Sequence, residues 1–184
     1  MPTSTVPPKP VRDTIAALPR PELIRRFEGG ANTLNAEVLK LDDAALDTFF
    51  QPDAGVGRWS CRALVGHLAD SELVLGHRMR RLVAEDRPIL GLWDEDAFVA
   101  RGLYGHPGKG PLPRVAGYVA VIHTMRLWLA EWLRALPEAD WARQGMHPER
   151  GPVSVTDVVA IATWHVEYHG WFLDRKIERL TAGG

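Results

Sequence analysis

The sequence predicts an all-α protein, a bundle of four helices that forms a single domain. Four long segments carry apolar residues at spacings of three and four, which is the period of an amphipathic helix, and little of the chain alternates as a strand does. Helices of this kind, with no strands between them, bury their apolar stripes against one another. The 184 residues are enough for one domain with a sizeable core.

The four predicted helices span residues 21–41, 60–85, 112–136 and 154–180. Ser60 and Ser154 have side chains that cap a helix N-terminus well, and each stands at the start of a predicted helix. Gly29 and Gly30 each weaken the first helix by about 1 kcal/mol relative to alanine. We therefore expect a bend at this glycine pair, or a close approach by a neighbour.

The segments outside the long helices also carry signals. Prolines and small polar residues predict an extended or flexible lead over residues 1–20, so the helical domain is expected to cover residues 21–181. A long connection at residues 86–111 joins the second and third helices, and residues 94–101 within it favour a short helix. Loops of this length are usually functional or disordered, and this one suggests a crossover instead of simple up-and-down order. A turn-rich segment at residues 146–152 precedes the fourth helix.

Composition excludes several classes of function. The formal net charge is −1, so there is no excess of positive charge to attract nucleic acid or an anionic membrane. No apolar run is long enough to span a membrane, and the N-terminus lacks the apolar core of a secretion signal. The single cysteine, Cys61, excludes an intramolecular disulfide and an all-cysteine metal site. We expect a cytoplasmic protein that contacts neither nucleic acid nor membrane.

Three histidines lie on the apolar stripes of two predicted helices. His165 and His169 are one turn apart on the same face of the fourth helix, with Cβ atoms about 6 Å apart. That spacing lets both imidazoles reach one ion at about 2.0–2.1 Å. His67 lies on the stripe of the second helix, and a bundle brings such stripes face to face. Three neutral imidazoles with an open fourth position form a catalytic type of metal site, because water or substrate can bind there.

The alternative interpretation is that each histidine is a core residue held by hydrogen bonds, as a lone buried histidine commonly is. The paired spacing and the third inward histidine favour the metal. The pattern differs from the His-Glu-x-x-His signature of zinc proteases, because position 166 is Val166 and Glu167 lies about 200° around the helix from His165. Glu167 is therefore expected to be solvated or in a salt bridge.

One carboxylate has a candidate role in catalysis. Asp70 follows His67 by three residues on the same side of the second helix, so it could orient an imidazole or accept a proton beside the metal. A surface carboxylate paired with an arginine is an equally good interpretation of Asp70. Glu72 lies about 140° from His67 and is expected to face outward.

The other histidines and the cysteine carry less signal. His123 flanks the apolar face of the third helix and could support or replace a ligand. His77 lies off the stripe of the second helix, while His106 and His147 each precede proline and are expected in turns. Cys61 lies beside a helix N-terminus, where the dipole is expected to lower the pKa of its thiol, but no histidine adjoins it to form a nucleophilic pair.

Several motifs resemble the DinB/YfiT-like family. They are GRWS at 57–60, VGHLADS at 65–71, residues 88–98 with the segment WDEDA at 93–97, HPERG at 147–151 and ATWHVEYH at 162–169. The resemblance implies a DinB-like four-helix bundle, often a homodimer, that binds one divalent ion: zinc or nickel first, with iron or manganese as further options. In that pattern His67 matches the ligand of the second helix, and His165 and His169 match the pair of the fourth.

The resemblance implies more than one activity. Members have been described as metal-dependent hydrolases, and others transfer low-molecular-weight thiols such as bacillithiol or mycothiol. Relatives often have a histidine just before the last ligand or a glutamine soon after it, where this chain has Tyr168, Gly170 and Trp171. We expect a metal-dependent hydrolase that activates water to attack a small-molecule substrate. A thiol S-transferase with a thiol cosubstrate at the same site is the first alternative, and a non-enzymatic, metal-stabilised binding module is the second.

Overall fold

The computed structural model describes residues 7–105 and 112–182. Over these residues the regular elements are eight α-helices and one two-stranded antiparallel sheet. The helices are α1 (Arg12–Ala16), α2 (Arg20–Glu28), α3 (Asp43–Leu46), α4 (Cys61–Ala84), α5 (Glu95–Ala100), α6 (Val115–Ala135), α7 (Glu138–Trp141) and α8 (Val155–Thr181). The strands are β1 (Gln144–His147) and β2 (Gly151–Ser154). The predicted four-helix bundle is confirmed, with α2, α4, α6 and α8 as its helices.

The helices of the bundle do not follow one another around it in chain order. Helix α4 packs against α6 and α8, and α2 packs against the same two helices. Helices α2 and α4 therefore lie diagonally opposite each other, as do α6 and α8. The expectation that the bundle departs from simple up-and-down order is confirmed, but the segments that cross the bundle are not the one expected. The segments that follow α2 and α6 cross the bundle, whereas the long connection joins the neighbours α4 and α6.

The predicted apolar stripes are the buried faces of the long helices. Buried apolar side chains form two clusters, one that includes Phe27, Met79 and Leu129 and one that includes Leu68, Ile122 and Val166. Both clusters contain residues of α4, α6 and α8, so these three helices share the core along their length.

The first predicted helix, residues 21–41, is wrong in its second half, because α2 ends at Glu28 and is followed by two 3₁₀ turns, Gly29–Thr33 and Ala36–Leu39. The Arg126 guanidinium donates a hydrogen bond to the Phe27 carbonyl oxygen at 2.7 Å, which satisfies an acceptor at the end of the helix. A Cβ atom at Gly30 would collide with the same guanidinium. The close approach expected at the glycine pair is therefore confirmed.

The sequence does not predict the hairpin at residues 144–154, because its strands of four residues are too short to show a period. Gly151 has a φ of 73° where the chain turns into β2, a conformation that favours glycine. Strand β1 also pairs with the long connection: the Leu90 N–H donates to Met146 O and the Met146 N–H donates to Pro88 O, both at 2.9 Å. This pairing anchors the start of the long connection beside the hairpin.

The expectation that Glu72 faces outward is wrong, since its carboxylate is buried against α6. The Arg126 guanidinium donates to Glu72 Oε1 from Nε at 2.9 Å and from Nη2 at 2.6 Å. It also donates to the carbonyl oxygens of Phe27 and Ala162. One guanidinium thus contacts all four helices of the bundle. The angle of about 140° around α4 between His67 and Glu72 could not predict that Glu72 is buried. Helix α4 has two buried faces, one toward α8 and one toward α6.

The lead expected over residues 1–20 packs against α8 where the structure describes it; residues 1–6 lie outside the described ranges. Helix α1 belongs to this lead, and Ile15 within it is buried. The indole N–H of Trp164 donates to the carbonyl oxygen of Pro10 at 3.2 Å. Among the described residues, no helix is both long enough and apolar enough to cross a membrane.

Candidate metal centre

Helices α4 and α8 bring His67, His165 and His169 to one place. Each helix begins with a serine cap, which fixes where its turns start. The two helices pack against each other, so the stripe that carries His67 faces the stripe that carries the other two histidines. His67 is buried, and the other two are partly buried. The structure therefore brings the three histidines together, as the helical spacing of these residues predicts.

The three imidazoles are close enough to share one ligand. One ring nitrogen from each histidine lies within 4.8 Å of the other two. The Nε2 atoms of His67 and His165 are 3.1 Å apart. The ring centroids of His165 and His169 are 4.5 Å apart, and that of His67 lies 4.9 and 5.1 Å from them. The rings meet edge to face, at angles of 70°, 72° and 80°.

Two tryptophans enclose the ring of His67. Trp93, in the long connection, stacks on it with centroids 5.1 Å apart. Trp59, just before α4, meets it edge on at 4.8 Å and also stacks near His169 at 6.3 Å. Neither tryptophan is among the site residues that the sequence predicts. Both belong to motifs that carry the family resemblance, and that was the signal available for them.

Burial keeps the three imidazoles neutral. It lowers the pKa of His67 to about 4. For His169, burial and then the neighbouring His67 lower the pKa to about 3. The pKa of His165 lies well below its ordinary value of 6.5, because of burial first and then of His169 and His67. A neutral imidazole has a lone pair to give to a cation, whereas a protonated one does not.

The cluster fits a divalent cation. Two nitrogens that each lie about 2.0–2.1 Å from one ion are roughly 3.0–3.4 Å apart at near-tetrahedral angles, and the 3.1 Å between the Nε2 atoms of His67 and His165 agrees with this. Within the described residues, the buried Nδ1 atoms of His67 and His169 have no hydrogen-bond partner. The protein alone therefore leaves polar atoms of this cluster unpaired. Three imidazoles suit zinc, nickel, copper and iron alike.

Two cavities reach the histidines. The first, of about 470 Å³, opens onto His67 and His165, and the long connection forms one of its walls. The charged and aromatic side chains around it include Arg78, Trp93, Asp94, Glu95, His147, Glu149, Arg150 and Trp164. The second cavity, of about 420 Å³, reaches His169 and is lined by aromatic side chains and by Lys176.

Asp70 lines neither of these two cavities. Its Oδ2 accepts a hydrogen bond from the Tyr104 hydroxyl at 2.8 Å, so its partner is a tyrosine where the alternative interpretation expected an arginine. A role for Asp70 as proton acceptor stays a prediction. The wall of the first cavity carries four carboxylates that the sequence did not single out: Asp94, Glu95, Asp96 and Glu149.

The other histidines lie apart from the three-histidine cluster. His123 and His77 are exposed, and neither belongs to the cluster. His106 lies outside the described residues. The expectation of a turn at His147 is wrong, because this residue lies on β1 and is buried at the first cavity. The strand is defined by its pairing with β2 and with residues 88–90, which the proline after His147 does not reveal.

Cys61 and Glu167 also lie outside the cluster. The expected lowering of the Cys61 pKa is wrong: the thiol is fully buried, and burial raises its pKa to about 11. Desolvation of the thiolate outweighs the helix dipole here. Glu167 forms the salt bridge that its helix angle allowed, with Nε of Arg26 at 2.6 Å from Oε1.

Comparison with known proteins decides the family. The sequence model of the DinB superfamily matches residues 26–173 of this chain, a stretch that includes His67, His165 and His169. The chain belongs to the DinB superfamily. Its membership confirms the resemblance drawn from the motifs.

Relatives of this DinB-superfamily chain carry names that refer to metal. It is 28% identical over 148 residues, 80% of either chain, to a protein of Oceanobacillus iheyensis named "Putative metal-dependent hydrolase". A Bacillus pumilus protein of the same name is 27% identical over 141 residues, which cover 76% of this chain and 74% of the relative. The fold is similar to that of YfiT from Bacillus subtilis, with a TM-score of 0.74 at 21% identity over 88% of this chain and 87% of YfiT. YfiT is described as "a probable metal-dependent hydrolase with an unusual four-helix bundle topology".

Proposed function

We propose that this chain is a divalent-metal-dependent enzyme that activates water for the hydrolysis of a small-molecule substrate. The observation that carries the proposal is the meeting of three neutral imidazoles from two helices beside a cavity of about 470 Å³. A cavity of this size suits a small molecule. The names of the relatives support the dependence on metal.

Each part of the site has a role in this proposal. His67, His165 and His169 each hold the ion through one ring nitrogen. A divalent ion bound there supplies Lewis acidity, which brings the pKa of a coordinated water or thiol toward neutral pH. Trp93 stacks on the His67 ring, limits its rotation and keeps water from that side. Asp94, Glu149 and, by the earlier hypothesis, Asp70 are the candidates to accept the proton.

A thiol S-transferase is the second candidate, and one observation favours it. The histidines are open to two cavities, since His67 and His165 face the first and His169 lines the second. Transfer of a thiol needs room for two reactants at one metal centre. Hydrolysis needs room for one reactant and water.

Metal binding is the first test of the proposal. The purified chain is stripped with a chelator and titrated with Co²⁺, Ni²⁺ and Zn²⁺, and we expect one equivalent to bind. His165→Ala is expected to weaken binding by more than about 100-fold, since even groups behind the ligands are worth about 10–100-fold. His123→Ala, which removes an exposed histidine, is the matched control and should bind as the wild type does. No binding, or equal binding by both variants, would contradict the metal centre.

Turnover separates the two activities. The metal-loaded chain is assayed on a panel of esters and amides in water, and on electrophiles together with cysteine, bacillithiol or mycothiol. Turnover with water alone supports the hydrolase, and a product that carries the thiol supports the S-transferase. A His165→Ala variant that loses the metal and keeps every activity would contradict a metal-dependent enzyme. Metal binding without turnover of either kind would leave the non-enzymatic, metal-stabilised binding module.

We also propose that the chain acts as a homodimer, as the family resemblance implies. Sedimentation equilibrium should then give twice the chain mass of 20.5 kDa. A single species at the mass of one chain would contradict the dimer.

A further inference from the structure

The first cavity contains a group of basic side chains that the metal centre does not use. Arg78 lies eleven residues after His67 on α4, which is three helical turns, so both side chains are on one face. His147 lies on β1, and Arg150 lies in the turn that leads to β2. All three line the cavity that opens onto His67 and His165. Two separate parts of the fold therefore bring positive charge to one wall.

These basic groups are close enough to repel one another. Burial lowers the pKa of Arg78, and the charge of Arg150 lowers it further. The pKa of His147 is lowered by burial first and then by Arg78 and Arg150. Like charges held together favour an anion between them, because the anion replaces repulsion with attraction.

The arginines of the cavity are free of ion pairs with the described carboxylates at 4.0 Å or less, unlike the buried Arg62 and Arg126. Arg78 donates one hydrogen bond, to the carbonyl oxygen of Gly91 at 2.6 Å. Nδ1 of His147 accepts a hydrogen bond from the backbone N–H of Glu149 at 3.3 Å, which leaves its Nε2 to donate. Donors of all these groups thus stay available to a ligand in the cavity.

We propose that Arg78, His147 and Arg150 bind a carboxylate group of the substrate, which places the reacting end of that substrate against the three histidines. This inference rests on the proposed function and names the class of substrate for the same site. A guanidinium matches a carboxylate in geometry and can donate to both of its oxygens.

The acidic side chains of the cavity favour a carboxylate over a phosphate group. Asp94, Glu95, Asp96 and Glu149 line the same space, and Glu95 is near enough to Arg78 to act on its pKa. A ligand group with two negative charges meets about twice the repulsion from these carboxylates that a group with one charge meets. A single negative charge is therefore the better match to this mixed wall.

The test uses two thiols of matched length on the Co²⁺-loaded chain. Binding of 3-mercaptopropionate and of 3-mercapto-1-propanol is followed through the visible spectrum of Co²⁺, which changes when sulfur coordinates the ion. We expect 3-mercaptopropionate to bind about tenfold tighter or more, the gain of a charge-assisted hydrogen bond. Arg78→Gln and Arg150→Gln should each remove most of this preference. Arg80→Gln, an exposed arginine on the same helix, should leave it unchanged.

The outcomes separate this inference from the proposed function. Equal binding of the two thiols would overturn the carboxylate site and leave the metal centre standing. A chain that gives no Co²⁺ spectrum would overturn the metal centre and, with it, the carboxylate site. Inorganic phosphate that displaces 3-mercaptopropionate better than acetate does would overturn the choice of a carboxylate. Arg150 is exposed, so its variant carries the test if Arg78→Gln does not fold.

Discussion

Helix α4 carries two buried polar groups five residues apart, and the fold treats them differently. Glu72 meets the Arg126 guanidinium, which also donates to carbonyl oxygens of α2 and α8. His67 meets two further histidines, and in the described residues the buried Nδ1 atoms of His67 and His169 have no partner. One cluster is complete within the protein, and the other is not.

This difference separates a cluster that stabilises the bundle from one that, in the proposed function, holds a metal ion. A buried network with all its partners fixes the helices relative to one another, while a buried group without a partner costs free energy. Loss of a member should therefore lower stability at Glu72 and Arg126. At the histidines it should lower ligand binding instead.

Arg126→Met is expected to have the largest effect. It leaves the Glu72 carboxylate buried without its partner, and removal of one member of such a pair costs about 3–5 kcal/mol in the free energy of unfolding. Urea unfolding at pH 7 measures the loss. Arg134→Gln breaks an exposed pair with Glu28 and is the control, with an expected cost below about 1 kcal/mol. Equal losses at the two arginines would show that the buried cluster does not hold the bundle together.

Addition of metal is expected to stabilise the chain by about 2.7 kcal/mol when the free ion is at 100 times its Kd. His67→Leu should abolish this gain, which thermal unfolding with and without Zn²⁺ would show. Without metal, the same variant should lose no more than about 1–3 kcal/mol, because His165 loses the ring nitrogen 3.1 Å from its Nε2 while an apolar side chain replaces a buried ring that has an unpaired nitrogen. A metal-free variant several kcal/mol less stable would make the histidine cluster structural and remove the contrast with Arg126.

Acid should destabilise the metal-free chain through the same histidines. Burial lowers the pKa of His67 from 6.5 to about 4, so between these pH values the unfolded chain binds a proton that the folded chain does not. Stability is therefore highest above pH 6.5 and falls as the pH falls toward the folded pKa. We expect His67 to account for about 2 kcal/mol of the loss between pH 7 and pH 5. Urea unfolding across this range should give a flatter curve for His67→Leu, and parallel curves would contradict the assignment.

The sequence was sufficient where the signal is local. The helical period and the serine caps at Ser60 and Ser154 gave α4 and α8 with their N-termini. The four-residue spacing of His165 and His169 fixed their common face, and the bundle then required His67 to lie opposite them. The helix starts and the common face of His165 and His169 depend on neighbours within one or two turns of a helix. The position of His67 opposite them depends on the bundle that the apolar stripes predict.

The sequence was not sufficient where a distant partner decides the conformation. Helix α2 ends where Arg126, about a hundred residues later in the chain, donates a hydrogen bond to a carbonyl oxygen in the last turn of α2. Strand β1 pairs at Met146 with residues 88–90 as well as with β2, and Glu72 turns inward because Arg126 is there. The basic wall of Arg78, His147 and Arg150 is of the same kind, since the hairpin and α4 meet only in the folded chain.

A third polar contact on α4 is expected to have the smallest effect. Asp70 is partly exposed and accepts one hydrogen bond from the Tyr104 hydroxyl. Tyr104→Phe removes this bond but keeps the ring that packs closely over Gly66, so we expect a loss of about 1 kcal/mol in unfolding free energy. The affinity for Co²⁺ should stay within about twofold, because no histidine of the centre loses a contact through this change. Asp70→Asn should give the same two results. A tenfold loss of Co²⁺ affinity in either variant would mean that Asp70 acts through the histidine centre. The hydrogen bond between Tyr104 and Asp70 would then support metal binding as well as the stability of the fold.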